Sequence, residues 1–270
     1  MFHASTLEFD RIVAELAALA VTPMGRARLE ALEPAADPRV VAALQQATSE
    51  TVRFFELHPI FPLRAGQGLT ETLEGLAIEG RPLDPIALRT LADFADSVER
   101  SRAGILGATG EFPVLSALVL RLASFRDEIA AVREAIDRSG EVLDAASPAL
   151  RGIRDRLRQF RLRLRHTLEQ FARGRDTAKY LQDEVITERN GRFVLLVRAE
   201  HRANVPGIVH GSSASGASLF LEPAATVEIN NDIVELEDRE REEIFRILLA
   251  LTDRFRHRPG DLRAVREVAG

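Results

Sequence analysis

The residues that invite a chemical reading cluster late in the chain. Gly211 to Ser218 reads GSSASGAS, and the backbone N–H groups of such a run could cradle a phosphate. It lacks the Gly-Lys-Ser/Thr ending of a P-loop, and no such ending occurs in the chain. A flexible or tight connection between strands is the plainer reading. His210 stands beside Ser212 and Ser213, but neighbours in sequence rarely orient as nucleophile and base, and the Gly-x-Ser-x-Gly arrangement is not matched there. His3, His58, His166, His201 and His257 show no metal-ligand spacing. The many carboxylates after Thr226 read as a solvated or ion-paired face rather than as a paired acid and base. No active site is evident; what remains is charge.

That charge sits on two long segments of opposite sign. From 151 to 175 nine arginines face only Asp155 and Glu169, a local balance of +7. Beneath them Ile153, Leu157, Phe160, Leu164, Leu168 and Phe171 recur at spacings of mostly three and four, the seam of a coiled coil. Arg151, Arg154, Arg158, Arg161 and Arg165 form a stripe beside it. Between 226 and 246 eight acids outnumber three arginines, a balance of −5, over a matching seam of Ile229, Ile233, Leu236, Ile244, Ile247 and Leu251 that Glu240 interrupts. Opposite charge on two returning helices favours their pairing. An intramolecular pair is therefore the plainer account of the stripe, while Arg156, Arg163, Arg173 and Arg175 keep open a nucleic-acid surface. At about 1.5 Å per residue the first helix should reach roughly 40 Å.

Between these helices the period changes from helix to strand. Val185 to Thr187, Phe193 to Val197, Ile208-Val209 and Leu219 to Leu221 are β-branched or aromatic runs separated by Asn190-Gly191, Pro206-Gly207 and the Gly/Ser stretch. Asn190-Gly191 signals a two-residue hairpin. A sheet of three or four strands follows, too small to stand without bracing. Its charges, Arg189, Arg192, Arg198 and Arg202 against Asp183, Glu184, Glu188, Glu200 and Glu222, read as exposed and nearly balanced.

The first 140 residues read as a helical bundle. Thr22-Pro23, Asp37-Pro38, Asp84-Pro85 and Ser147-Pro148 each place a capping oxygen before a proline at the first helical position. A further helix is expected from about Leu7 to Val21 on Phe9, Ile12, Val13, Leu16 and Leu19, and Leu88, Leu91, Ala92, Ala95 and Val98 repeat the pattern after Asp84. Breakers are read at Pro59, Pro62, Gly66, Gly68, Gly80, Gly104, Gly107, Gly110 and Ser139-Gly140, with a short pairing of Val142 and Leu143 near the last. The 270 residues, 46% hydrophobic and 29% charged, suit one or two globular units. Absence of cysteine excludes disulfides and Cys-based zinc sites. Met1 to Asp10 does not read as a signal peptide and no run is long enough to span a membrane, so the expected location is the cytoplasm. The net charge of −5 predicts no polyanion partner by itself, and Lys179, the single lysine among 36 basic residues, reads as genome bias.

Residues 182 to 231, QDEVITERNGRFVLLVRAEHRANVPGIVHGSSASGASLFLEPAATVEINN, resemble the clamp region of the second bacterial MutS paralogue family, recombination suppressors whose full-length members carry an ATPase and usually a C-terminal Smr nuclease domain. The matching pieces are Thr187 to Val194, Val197 to Arg202, Gly207 to Pro223 and Asn230-Asn231. LEFDRIVAELAALAVTPMGRARLEALEP at 7 to 34 and GEVLDAASPALRGIRDRLR at 140 to 158 are similar to that family's N-terminus and lever, so the likeness covers nearly the whole chain. It implies a mainly α fold with a small β insertion: a helical core at 1–146, an ascending lever helix at 147–181, a β-rich clamp at 182–222, a descending helix at 223–256 and a return at 257–270. The two lever helices would form a long antiparallel coiled coil with the clamp at its tip.

The resemblance places the family's ATPase, with its ATP and Mg, after Gly270 and the Smr domain later still. It therefore implies an N-terminal fragment without cofactor or enzymatic activity of its own. In MutS-like dimers lever and clamp close on the nucleic-acid backbone, which suits selection of branched or junction DNA by shape. On that reading Arg173, Arg175, Lys179, Arg189, Arg192, Arg198 and Arg202 are candidate phosphate contacts and the full-length protein a homodimer. The family also acts on collided ribosomes, so a ribosome- or rRNA-engaging module is a second reading. A structural coiled-coil spacer is the third. Salt-sensitive binding of junction DNA separates the first from the third.

Overall fold

The computed structural model describes residues 8–270; Leu7 and His3, and the side chain of Glu184, lie outside the described residues. The described residues are mainly helical, ten α-helices with one small antiparallel sheet, and the chain divides into two compact units. One comprises 8–143 with 247–270, the other 144–246.

In the first unit the helices are α1 (Phe9–Ala18), α2 (Pro23–Glu30), α3 (Pro38–Leu57), α4 (Leu69–Gly75), α5 (Pro85–Leu106), α6 (Pro113–Leu120) and α7 (Arg126–Ala135). The cap-proline pairs start helices as expected: Thr22 Oγ1 accepts from Gly25 N at 3.0 Å, Asp37 Oδ1 from Arg39 N at 2.8 Å and Asp84 Oδ1 from Ala87 N at 2.8 Å. The core is built on α5, whose Leu88, Leu91, Ala92, Phe94, Ala95 and Val98 are buried, with α4, α6 and α7 against it. Ile136 and Val142 form an isolated antiparallel bridge near Gly140. One expectation fails. Gly104 lies inside α5 rather than ending it, because one glycine costs a helix only about 1 kcal/mol when neighbouring turns are packed. In α1 the seam is mostly uncovered: Val13 and Ala17 are buried, while Ile12, Leu16 and Leu19 are exposed.

The same unit takes in residues 247–256 of α9 (Val227–Arg256) and α10 (Pro259–Val268). Phe255 stacks on Phe125 with ring centroids 5.9 Å apart, and the Arg258 guanidinium lies 4.2 Å from the Phe125 centroid. Thr252 Oγ1 accepts from Leu83 N at 3.0 Å, and Arg256 donates to the carbonyls of Leu76, Ile78 and Arg81. These bonds tie the backbone of the loop between α4 and α5 to the end of α9.

The second unit is built from α8 (Pro148–Arg173), residues 227–246 of α9, and strands β1 (Leu181–Arg189), β2 (Arg192–Arg198), β3 (Gly207–Ser212) and β4 (Ser218–Pro223). Ser147 caps α8, its hydroxyl accepting from Leu150 N at 2.9 Å and donating to Glu243 at 2.6 Å. Ser147–Glu243, Arg154–Glu240 and Arg161–Glu237 descend α9 as they climb α8, so the two run antiparallel. Leu157, Leu164 and Leu168 share one buried cluster with Ile229, Ile233 and Leu236. The cluster does not stop at the helices. Leu181, Leu195, Val197, Val205 and Leu221 belong to it, and α8 also lies against β1 and β2. The helix pair thus supplies the bracing that a small sheet needs.

All strand pairs are antiparallel in the order β1-β2-β4-β3. Asn190 at φ 51 and Gly191 at φ 72 make the hairpin turn between β1 and β2. The Gly/Ser stretch is the turn between β3 and β4: Ser213 N donates to Ser218 O at 2.8 Å and Gly216 N to Ser213 O at 2.9 Å. Gly207 permits the closest approach, since a Cβ there would stand 2.1 Å from the Glu222 carbonyl oxygen.

Candidate nucleic-acid interface

The seven sequence-derived cations all fall in the second unit, at the end of α8 and on the sheet that follows. Helix α8 stops at Arg173 because Gly174 leaves the helical region and the Thr177 hydroxyl donates to the carbonyls of Phe171 and Gly174. A short turn, Ala178–Tyr180, then feeds β1. This brings Arg173, Arg175 and Lys179 out within one turn region, all exposed and without an ion pair among the described residues. The Lys179 ammonium lies 5.1 Å from the centroid of the Tyr180 ring, which is itself 5.1 Å from the His201 ring. Arg198, at the end of β2, is likewise exposed and makes no ion pair among the described residues. Arg189 is exposed with its guanidinium 4.2 Å from the Phe220 centroid, a stacking that orients it while leaving its N–H groups available.

Arg192 and Arg202 stand apart from these five. Arg202 donates to the carbonyls of Val205 and Gly207, both at 3.0 Å, closing the loop before β3. Arg192 meets Glu222 at 3.2 Å, with 24% of its side chain exposed and none of the glutamate's. Glu222 is not the exposed sheet charge expected from the sequence. Its carboxylate also takes His210 Nε2 at 2.6 Å and Asn230 Nδ2 at 2.8 Å. Asn230, itself 1% exposed, further binds both backbone groups of Phe193 at 3.2 Å. A buried carboxylate is tolerated only with such a complete shell. The residues His210, Glu222 and Asn230 thus form one polar lock between three strands and α9. With β3 and β4 paired at Ile208 and Glu222, His210 stands diagonally beside Glu222 on one face, a placement the sequence alone does not mark.

The arginine stripe on α8 is divided. Arg154, 16% exposed, bonds Glu240 at 2.6 Å and Asp144 at 2.7 Å, which explains why a glutamate interrupts the apolar seam. Arg158 bonds Asp144 and Asp155, and Arg161 bonds Glu237 at 2.6 Å. Hydrogen bonds from Arg154, and then Arg158, hold the Asp144 carboxyl below the usual carboxylate range. The hydrogen bond from Arg246 does the same for Glu243 against an opposing burial penalty, with the Ser147 hydroxyl adding to it. Arg151, Arg156, Arg163 and Arg165 make no ion pair among the described residues and are exposed.

Among the described residues no helix is long and apolar enough to cross a membrane, and no cluster of His, Asp or Glu is placed to hold a metal. The unit offers exposed cations on a braced sheet.

No family model matches the chain. Individual proteins do. The chain is 44% identical over 247 residues to the protein named Endonuclease MutS2 of Symbiobacterium thermophilum, covering 92% of this chain and 31% of that protein. It is 35% identical over 264 residues to the Endonuclease MutS2 of Pelotomaculum thermopropionicum, 98% of this chain and 34% of the relative. For the Endonuclease MutS2 of Geobacillus kaustophilus the figures are 39% over 244 residues, 90% and 31%. The chain spans about a third of the length of these curated relatives.

Proposed function

We propose, for a chain that belongs with the MutS2 proteins over nearly all of its own length and about a third of theirs, that it is the part of such a protein that grips branched DNA by its backbone. In this reading α8 and the 227–246 stretch of α9 act as a coiled-coil lever, and the four strands act as the clamp, in a protein that suppresses recombination. The helices of 1–146 serve as its core. Catalysis by the family's nuclease and ATPase is assigned to other parts of the longer protein.

The observation that carries the proposal is the division among cations. Those along the helix pair at Arg154, Arg158 and Arg161 are neutralised, whereas Arg173, Arg175, Lys179 and Arg198 are exposed without ion pairs among the described residues. Arg189 stands with them, oriented by Phe220. Arg192 and Arg202 support the sheet instead. Five phosphate contacts, from Arg173, Arg175, Lys179, Arg189 and Arg198, would give a log–log salt dependence of affinity with slope of about −4.5. The test is titration of the 270-residue chain against a four-way junction and a linear duplex of equal length at several salt concentrations. Tighter junction binding with that slope supports the proposal. Equal, salt-insensitive affinity for both, or retention by collided ribosomes and not by junctions, contradicts it.

A further inference from the structure

Between the C-terminal half of α8 and the β1–β2 hairpin lies a cleft of about 400 Å3, which no role in gripping duplex backbone requires. Its wall is one face of α8, where Arg161, Arg165, Glu169 and Arg173 follow at intervals of four, and its floor is Ile186 and Phe193. Arg161 is engaged by Glu237 at 2.6 Å. Arg165 and Arg173 are exposed and unpaired among the described residues, so two arginines line the cleft together with a half-buried aromatic side chain. They are eight residues apart, roughly 12 Å along the helix axis. Glu169 lies midway between them.

We infer that this cleft takes one unstacked nucleotide of single-stranded DNA. The base would lie on Phe193, with the flanking phosphates at Arg165 and Arg173. The volume is toward the lower end of small-ligand pockets, roughly 300–1,000 Å3, which admits a mononucleotide and excludes a base-paired helix. An aromatic floor attracts a base only when the π-face of that base is free, and stacked duplex bases do not offer one. Two arginines set apart by a carboxylate fit two phosphates with a base between them, because Glu169 repels a central phosphate and accepts hydrogen bonds from an exocyclic amino group. The floor is also held rigidly. Asn230 binds both the N–H and the carbonyl of Phe193, and Phe193 and Ile186 pack against the buried cluster, so little order remains to be gained on binding. The inference rests on the DNA-gripping proposal and sharpens it: the preferred substrate is a branch with an unpaired nucleotide at its fork.

The test uses the 270-residue chain with 2-aminopurine placed in a short single-stranded DNA, in the gap of a gapped fork, and in a fully paired junction. The inference expects a fluorescence change for the first two on binding and none for the third. Arg165→Gln, at an exposed position away from the core, should lower single-strand affinity about fivefold or more. Phe193→Leu, checked for folding by circular dichroism, should lower affinity for the single strand at least fivefold more than for the paired junction, with loss of the fluorescence change. Unchanged single-strand binding by Arg165→Gln, equal losses on both DNAs by Phe193→Leu, or tighter binding of single-stranded RNA than DNA would each overturn it. If paired junctions bind with the expected salt slope while the probe stays silent, the cleft inference fails and the gripping proposal stands. If single strands bind with the fluorescence change and junctions do not bind, the cleft stands and the gripping proposal fails.

Discussion

Along α8 the same residue type does opposite work. In the stretch from Arg154 to Arg161 three of the four guanidinium groups, those of Arg154, Arg158 and Arg161, meet a carboxylate, from Glu240, Glu237, Asp144 or Asp155, while Arg156 is exposed. From Arg165 through Arg173 and Arg175 to Lys179 the cations are exposed, and no carboxylate among the described residues pairs with them. The reason lies in the return helix. Six of its eight acids lie at 235–243, where Glu237 and Glu240 meet Arg161 and Arg154, whereas Glu228 and Asp232, beside Ile229 and Ile233, make no ion pair among the described residues. Net charge over a segment therefore says little about where charge is available; the placement of the partner decides it.

The sheet repeats this contrast at smaller scale, with Arg192 locked to Glu222 and Arg198 outside any ion pair among the described residues. The largest expected effect attacks that lock. Glu222→Ala leaves Arg192, His210 and Asn230 without their shared acceptor and should cost about 3–5 kcal/mol in urea unfolding. A cost under about 1 kcal/mol would mean that the node is not what joins the strands to α9. Next, Arg154→Ala should destabilise by about 2 kcal/mol, since it removes two charge-assisted bonds at a partly buried site, and should leave DNA affinity within twofold. Arg173→Gln with Arg175→Gln should do the reverse: stability within about 0.5 kcal/mol of the parent, and junction affinity lowered roughly tenfold. If the Arg154 variant and the Arg173 and Arg175 variant changed the same property, the contrast would collapse.

The smallest effect is in acid. Asp144 and Glu243 are held below their ordinary values of 3.8 and 4.5, so the unfolded chain takes up protons first as the pH drops. The stability they contribute is present above those values and is lost as the pH falls from about 4.5 through the lower folded values. Urea midpoints measured downward from pH 6 should show that loss, and Asp144→Asn should make it shallower.

Much of this was legible in the sequence because it is local. A capping oxygen followed by proline fixes a helix start within four residues, and Asn190-Gly191 fixes a hairpin turn within two. The opposite charges of the two long segments foretold that they meet, and Arg154 with Glu240 shows how the seam absorbs its one acid. Less legible was everything that depends on partners far apart in the chain. Alternation marks a strand but not its neighbours, so the order β1-β2-β4-β3 was hidden, and with it the burial of Glu222. The bonds from Asn230 to Phe193 cross 37 residues, and the cleft floor they fix has no local signature. Arg192 and Arg202 look like surface cations until their acceptors are seen. The apolar face of α1 reads as a core face, but little covers it among the described residues.

The most direct test of the account is the salt slope of junction binding in two variants. One neutralises four unpaired cations, Arg173→Gln, Arg175→Gln, Lys179→Gln and Arg198→Gln; the other neutralises two paired ones, Arg158→Gln and Arg161→Gln. The account predicts that the first flattens the log–log slope by about 3.6 and the second leaves it unchanged. Equal changes per residue in both variants, or none in the first, would contradict it.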